Sequence, residues 1–180
     1  MASQDKVPLR LKKVTLHYSN VEDRIRMDAE SVQGDIIIFW LTQRLCRQLV
    51  KSLVGYFNKA DMAATGASTR SLASVQQFLQ QTASSNRQRV VAVAAAAPNQ
   101  AVLLDKVQLR TSTRMIQMSL PLAEGDEAVL VFSPEETRQW MGILYQQYRR
   151  AEWPLEIWPR WIASKVGEEP QDGGEGEKIH

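Results

Sequence analysis

The chain is poor in the residues that most often carry chemistry. One cysteine, Cys46, stands among 180 residues, which excludes an internal disulfide and a zinc site built from cysteines. It falls on the apolar side of a predicted helix and reads as a small buried hydrophobe rather than a reactive thiol. Of the two histidines, His180 ends an acidic tail and His17 lies between Leu16 and Tyr18 on a predicted strand. No second histidine or cysteine is placed to share a metal or a triad with His17, which reads as a surface or edge-strand residue. The 9 glycines form no phosphate-binding loop, and the one cluster, Gly173, Gly174 and Gly176, lies in the tail. No apolar run approaches the roughly 20 residues that span a bilayer. The first residues, Met1 to Lys6, lack the apolar centre of a signal peptide. These absences lead us to expect a cytoplasmic chain with no membrane segment, no metal and no cofactor. Enzyme activity stays open and is not favoured.

Charge is distributed unevenly. The stretch after Gly167 holds Glu168, Glu169, Asp172, Glu175 and Glu177 against Lys178. Of 22 basic and 20 acidic residues overall, the rest of the chain keeps 21 and 15, a net charge of +6. Residues 168–180 are therefore expected to be an acidic, disordered tail on a mildly basic body, with residues 1–167 forming a single domain.

What the sequence does have is an apparent repeat. Residues about 9–60 and about 102–151 each read as strand, strand, strand, helix. At an offset of 93, Leu9, Leu11, Val14 and Leu16 lie over Val102, Leu104, Val107 and Leu109. At an offset of 91, Ile25 and Met27 lie over Ile116 and Met118, and Gly34-Asp35 over Gly125-Asp126. Farther on, Arg47-Gln48 lies over Arg138-Gln139 and Leu53 over Leu144. The first strand changes phase near Lys12-Lys13, where a β-bulge or bend is expected, and the second copy changes phase between Leu104 and Val107. The third strands, Ile36 to Leu41 and Ala128 to Phe132, are continuous apolar runs, expected to be central and covered on both faces. The predicted fold class is α+β: duplicated βββα units forming an antiparallel β-sandwich or paired sheets, with packed helices and a helical insert.

Both repeat helices open on capping residues. Thr42 is the expected N-cap of the first, and Ser133-Pro134-Glu135-Glu136 has the form of a capping box. Leu45, Leu49, Val50, Leu53, Val54 and Phe57 form the apolar face of one helix; Trp140, Met141, Ile143, Leu144 and Tyr148 form that of the other. Asp61 to Ser68 reads as a loop. An insert of about 69–97 follows, with Leu72, Val75, Phe78 and Leu79 at helical spacing and a second helix expected over Arg89 to Ala97.

Two features suggest binding surfaces. Arg44, Arg47 and Lys51 recur at intervals of three and four, forming one stripe that is suited to phosphates but more often a solvated helix face. In the extension 152–166, Trp153, Trp158 and Trp161 are interleaved with Pro154 and Pro159. Trp153 is expected to be buried. Trp158 and Trp161 are expected to be less so, and thus possible contacts for a partner or for self-association, against the commoner reading of a strap over the protein's own core.

The order βββ, helices, βββ, helix over roughly residues 8–150 resembles the head domain of the end-joining ligase scaffold family. That resemblance implies a β-sandwich with a helical insert. It transfers no functional residue, and the helix ending near Ala151 with Pro154 and Pro159 beyond it departs from that family's coiled-coil stalk. The run Trp40-Leu41-Thr42-Gln43-Arg44-Leu45 is similar to that of small bacterial proteins of unknown function. The functional expectation is a non-enzymatic protein-interaction or scaffold protein. The alternatives are a nucleic-acid-associated protein using Arg44, Arg47 and Lys51, or a small-molecule binder or enzyme without a recognisable motif.

Overall fold

A computed structural model describes residues 7–93 and 99–164. The expectations for the acidic tail and for residues 94–97 lie outside these. The first three strands are β1 (Leu9–Ser19), β2 (Arg24–Ser31) and β3 (Ile36–Leu41), followed by helices α1 (Gln43–Thr65) and α2 (Thr69–Asn86). Then come β4 (Gln100–Leu104), β5 (Gln108–Thr111), β6 (Ile116–Pro121) and β7 (Glu127–Phe132), and helices α3 (Pro134–Arg150) and α4 (Arg160–Ala163).

The strands form one seven-stranded sheet in the order β4-β3-β2-β1-β7-β6-β5. The fold class is α+β, as the patterning indicated, but the sheet is mixed rather than wholly antiparallel. The pairs β1–β7 and β3–β4 are parallel: the first strand before the helical pair α1–α2 joins the last strand after it, and the last strand before that pair joins the first after it. Only Asp105, Lys106 and Val107 separate β4 from β5, yet these strands form opposite edges of the sheet. So short a link spans at most roughly 14 Å, so the sheet is curled until its edges approach.

The registers follow from local chemistry. Residues Ile25, Met27 and Ala29 of β2 point into the core, while Arg26, Asp28 and Glu30 alternate onto the other face. There Arg26 Nε donates to Asp28 Oδ1 at 2.6 Å, and Lys12 pairs with Glu30 at 2.8 Å. The β1–β2 register shifts between Leu11 and Lys13, the irregularity expected near Lys12-Lys13. The β2–β3 turn is closed by Ser31 N–H donating to Asp35 O at 2.9 Å, and the β6–β7 turn by Leu122 N–H donating to Asp126 O at 2.8 Å. Gly34 and Gly125 occupy these two turns at φ 97° and 76°, a region that other residues reach only at a cost. The side chain of His17 lies on the polar face of β1, which is an interior strand of the sheet, so His17 is a surface residue but not an edge one.

The helix starts match their caps. Thr42 Oγ1 accepts from Leu45 N–H at 3.2 Å. Ser133 Oγ accepts from Glu136 N–H at 3.2 Å while Glu136 Oε2 accepts from Ser133 N–H at 2.7 Å, the reciprocal capping box. Three expectations need correction. The helix α1 does not stop before Asp61 but runs to Thr65, because Ala60, Ala63 and Ala64 are strong helix formers and Gly66 (φ 61°) supplies the left-handed cap, its N–H donating to Met62 O. Of the apolar residues Leu72, Val75, Phe78 and Leu79 on α2, only Leu72 is buried, together with Gln76, Gln80 and Ala83; Val75 and Leu79 are half-buried and Phe78 is 66 % exposed. The segment 87–93 is not helical: Arg87 already leaves helical geometry (ψ 116°), and Val93 N–H donates to Thr15 Oγ1 of β1 at 3.0 Å.

The core joins one face of the sheet to α1, α3 and the Trp segment. Cys46 is fully buried and burial pushes its thiol up to about 12, so it packs as a hydrophobe.

Candidate functional site

The Trp segment closes on the body. Glu152 takes a left-handed turn (φ 54°) and Trp153 N–H donates to Tyr148 O at 3.1 Å, which turns the chain back after α3. Trp153 Nε1 then donates to Asp23 Oδ1 at 3.1 Å, an oxygen that also accepts from Tyr18 Oη at 2.7 Å. These two donors hold the Asp23 carboxyl below its ordinary range. Trp153 is 7 % exposed, as expected, but Trp158 and Trp161 are 6 % exposed each, which corrects the expectation for them. The prolines do not hold the segment away: Trp158 N–H donates to Leu155 O in a turn, and Pro159 opens α4. Trp158 packs edge-on against Tyr145 and Tyr148, with ring centroids 5.3 and 5.2 Å away. No exposed aromatic patch remains there to carry the expected partner contact.

Trp161 completes a different constellation. Phe57 of α1 and Trp161 of α4 flank the guanidinium of Arg138 on α3, whose carbon lies 4.1 and 4.9 Å from the two ring centres. Arg138 Nη2 donates to Asp61 Oδ2 of α1 at 2.6 Å. Arg138 is 3 % exposed and Asp61 8 %, so both charges are largely removed from water. Burial pulls the Arg138 guanidinium below its usual value, and the Asp61 carboxylate opposes that shift. The α2 helix contributes Gln80, whose Nε2 donates to Arg138 O at 3.0 Å. Helices α1, α3 and α4 therefore meet at the ion pair and α2 packs beside it, its inward glutamines bonding the Arg138 carbonyl and, through Gln76 Nε2, Asn58 Oδ1 at 2.8 Å.

Above the pair opens a groove of about 510 Å³ between α1, α2 and the start of α3. Its walls include Tyr56, Phe57, Ala60, Ala64, Leu79 and Pro134, with Asp61 and Arg138 also lining it. Oδ1 of Asp61 makes no hydrogen bond among the described residues. The site thus offers apolar walls and a buried charged pair with one free carboxylate oxygen. Sequence reasoning missed it because Asp61 was read as loop and Arg138 as one member of an aligned Arg-Gln pair. The available signal was a lone arginine on the apolar side of α3, close to Trp140 and Met141.

The sequence-predicted cations lie elsewhere. Arg44, Arg47 and Lys51 are all exposed on α1, and none forms an ion pair among the described residues. Arg44 and Arg47 share a hollow of about 200 Å³ beside Tyr148, Ile157 and the acidic Glu156, and Lys51 does not line it. Among the described residues no group of three or more His, Cys, Asp or Glu could hold a metal ion, and no helix is long and apolar enough to cross a membrane. Comparison with family models, curated proteins and solved structures finds no match to this chain.

Proposed function

We propose that this chain is a non-enzymatic protein-interaction protein that binds its partner in the groove above Asp61 and Arg138. The observation that carries this reading is the groove itself: apolar walls from three helices around a buried pair whose Asp61 keeps one acceptor free. Such a groove suits an amphipathic helix that lays apolar side chains between α1 and α2 and offers one donor to Asp61. The test is affinity capture from the native host with the full chain and with Ala64→Arg, which places a long charged side chain on the groove wall. Ala64 is exposed on a helix, so the variant is expected to keep its thermal midpoint within about 2 °C. Loss of the captured partner supports the reading; unchanged capture overturns it. The second reading, nucleic-acid association through Arg44, Arg47 and Lys51, rests on their exposure and their lack of ion pairs among the described residues. It requires binding that weakens steeply between about 50 and 200 mM salt.

We also infer that the two halves are copies of one βββα unit arranged as a curled sandwich. Supporting this, the β2–β3 register Ile25↔Leu41 and the β6–β7 register Ile116↔Phe132 coincide at an offset of 91, as do the two turn hydrogen bonds. The β1–β7 pair Leu9↔Ala128 and the β4–β3 pair Gln100↔Ile37 coincide at the same offset, placing Leu9 over Gln100 rather than Val102. Leu16↔Met27 and Leu109↔Met118 keep the offset of 93 for the distal part of the first strand.

A further inference from the structure

A second groove, of about 390 Å³, runs between α2 and α3 and is chemically unlike the first. Gln80, Gln81, Ser84, Gln139 and Gln146 line it with amide and hydroxyl groups. Arg87 and Arg149 also line it; both are exposed, and among the described residues neither forms an ion pair and no carboxylate lines the groove. Gln139, which also lines it, and Arg149 are ten residues apart on α3, so the groove extends for ~15 Å along that helix. Gln80 is 5 % exposed and, with its Nε2 committed to Arg138 O, keeps Oε1 without a partner. Two guanidiniums without a carboxylate partner among the described residues, and primary amides at the groove surface, suit an acidic peptide, whose carboxylates accept from both.

Ser164, the last described residue, lines the same groove. The sequence beyond it places Glu168 and Glu169 four and five residues on, with Asp172, Glu175 and Glu177 after them. Five residues reach at most roughly 17 Å, enough to follow the groove's ~15 Å along α3. We propose that this groove is a binding site for acidic peptide and that its occupant is the chain's own acidic terminus, with Arg87 and Arg149 as the cationic contacts. A tethered ligand acts at a high effective concentration, so weak exposed ion pairs suffice.

The test compares amide chemical shifts of the full chain with those of a full-length variant in which Glu168, Glu169, Glu175 and Glu177 become Gln and Asp172 becomes Asn. The expected differences centre on Ser84, Arg87, Gln146 and Arg149, leave Arg44, Arg47 and Lys51 unmoved, and are independent of protein concentration. They are expected to collapse in 1 M salt, where the screening length falls to about 3 Å. Arg87→Gln combined with Arg149→Gln is expected to move the same amides with the native tail present. Differences confined to residues adjoining Ser164, or spread evenly over all exposed cations, overturn the proposal. Dependence on concentration overturns the intramolecular occupant, because the acidic segment then binds between chains.

Discussion

Removing Asp61 while keeping Arg138 tests whether the buried ion pair holds the helices together. A guanidinium stays charged at any working pH, so Asp61→Ala leaves a full positive charge at a position only 3 % exposed. Breaking a buried pair in this way costs about 3–5 kcal/mol. The Phe57 and Trp161 rings still face the cation at 4.1 and 4.9 Å and offset about 1 kcal/mol of that cost. The expected loss is thus about 2–4 kcal/mol, a fall in thermal midpoint of roughly 4–16 °C for a chain of this size. Arg138→Met strands the carboxylate instead. Asp61 faces the groove, where water reaches its free oxygen, so the expected loss is smaller, about 1–3 kcal/mol. The double variant Asp61→Ala with Arg138→Met removes both charges and leaves an unbranched apolar chain between the rings. Replacing both partners is close to neutral, so the double variant is expected to fall short of the two single losses combined by nearly their whole sum, about 3–7 kcal/mol. Urea unfolding followed by tryptophan fluorescence measures all four proteins. If the single losses add in the double variant to within about 0.5 kcal/mol, the two charges are not coupled and the reasoning fails.

Three further outcomes are expected. Trp161→Ala empties a site 6 % exposed and uncovers the Arg138 guanidinium, so calorimetry should show a loss of about 3–5 kcal/mol; an unchanged midpoint would return the segment to the role of an external contact. Ser133→Ala breaks the capping box of α3 and should cost about 1 kcal/mol by urea unfolding, whereas Ser133→Asn should keep most of it. The carboxyl of Asp23 is held below its ordinary range by the Tyr18 and Trp153 donors, so its contribution is complete above the unfolded carboxylate value of about 3.9 and is lost as pH falls through the lowered folded value. In thermal midpoints measured from about pH 6 to 2, Asp23→Asn should flatten that acid limb, and an identical acid limb in both proteins would show that Asp23 is not its source.

The elements legible in the sequence were those fixed by neighbours a few residues away. A capping box needs only Ser133 and Glu136, a turn only Gly34 or Gly125 and the hydrogen bond that spans it, and a half-buried strand only the alternation of Ile25, Met27 and Ala29 with Arg26, Asp28 and Glu30. The phase change in β1 and the burial of Cys46 and Trp153 were legible for the same reason. The tertiary structure alone decided what meets across long separations. Asp61 and Arg138 are 77 residues apart, and no local pattern relates them. Packing against α3 also decided which side of α2 faces inward: Gln80 is buried and donates to the Arg138 carbonyl, while Phe78 is left outside, which the apolar spacing of α2 does not foretell. Trp158 and Trp161 are buried for a related reason: two turns return the chain to Tyr148, Phe57 and Arg138, surfaces that exist only once α1 and α3 have packed. The parallel pairing of β1 with β7 and of β3 with β4 joins the two halves through contacts that neither half's own periodicity contains.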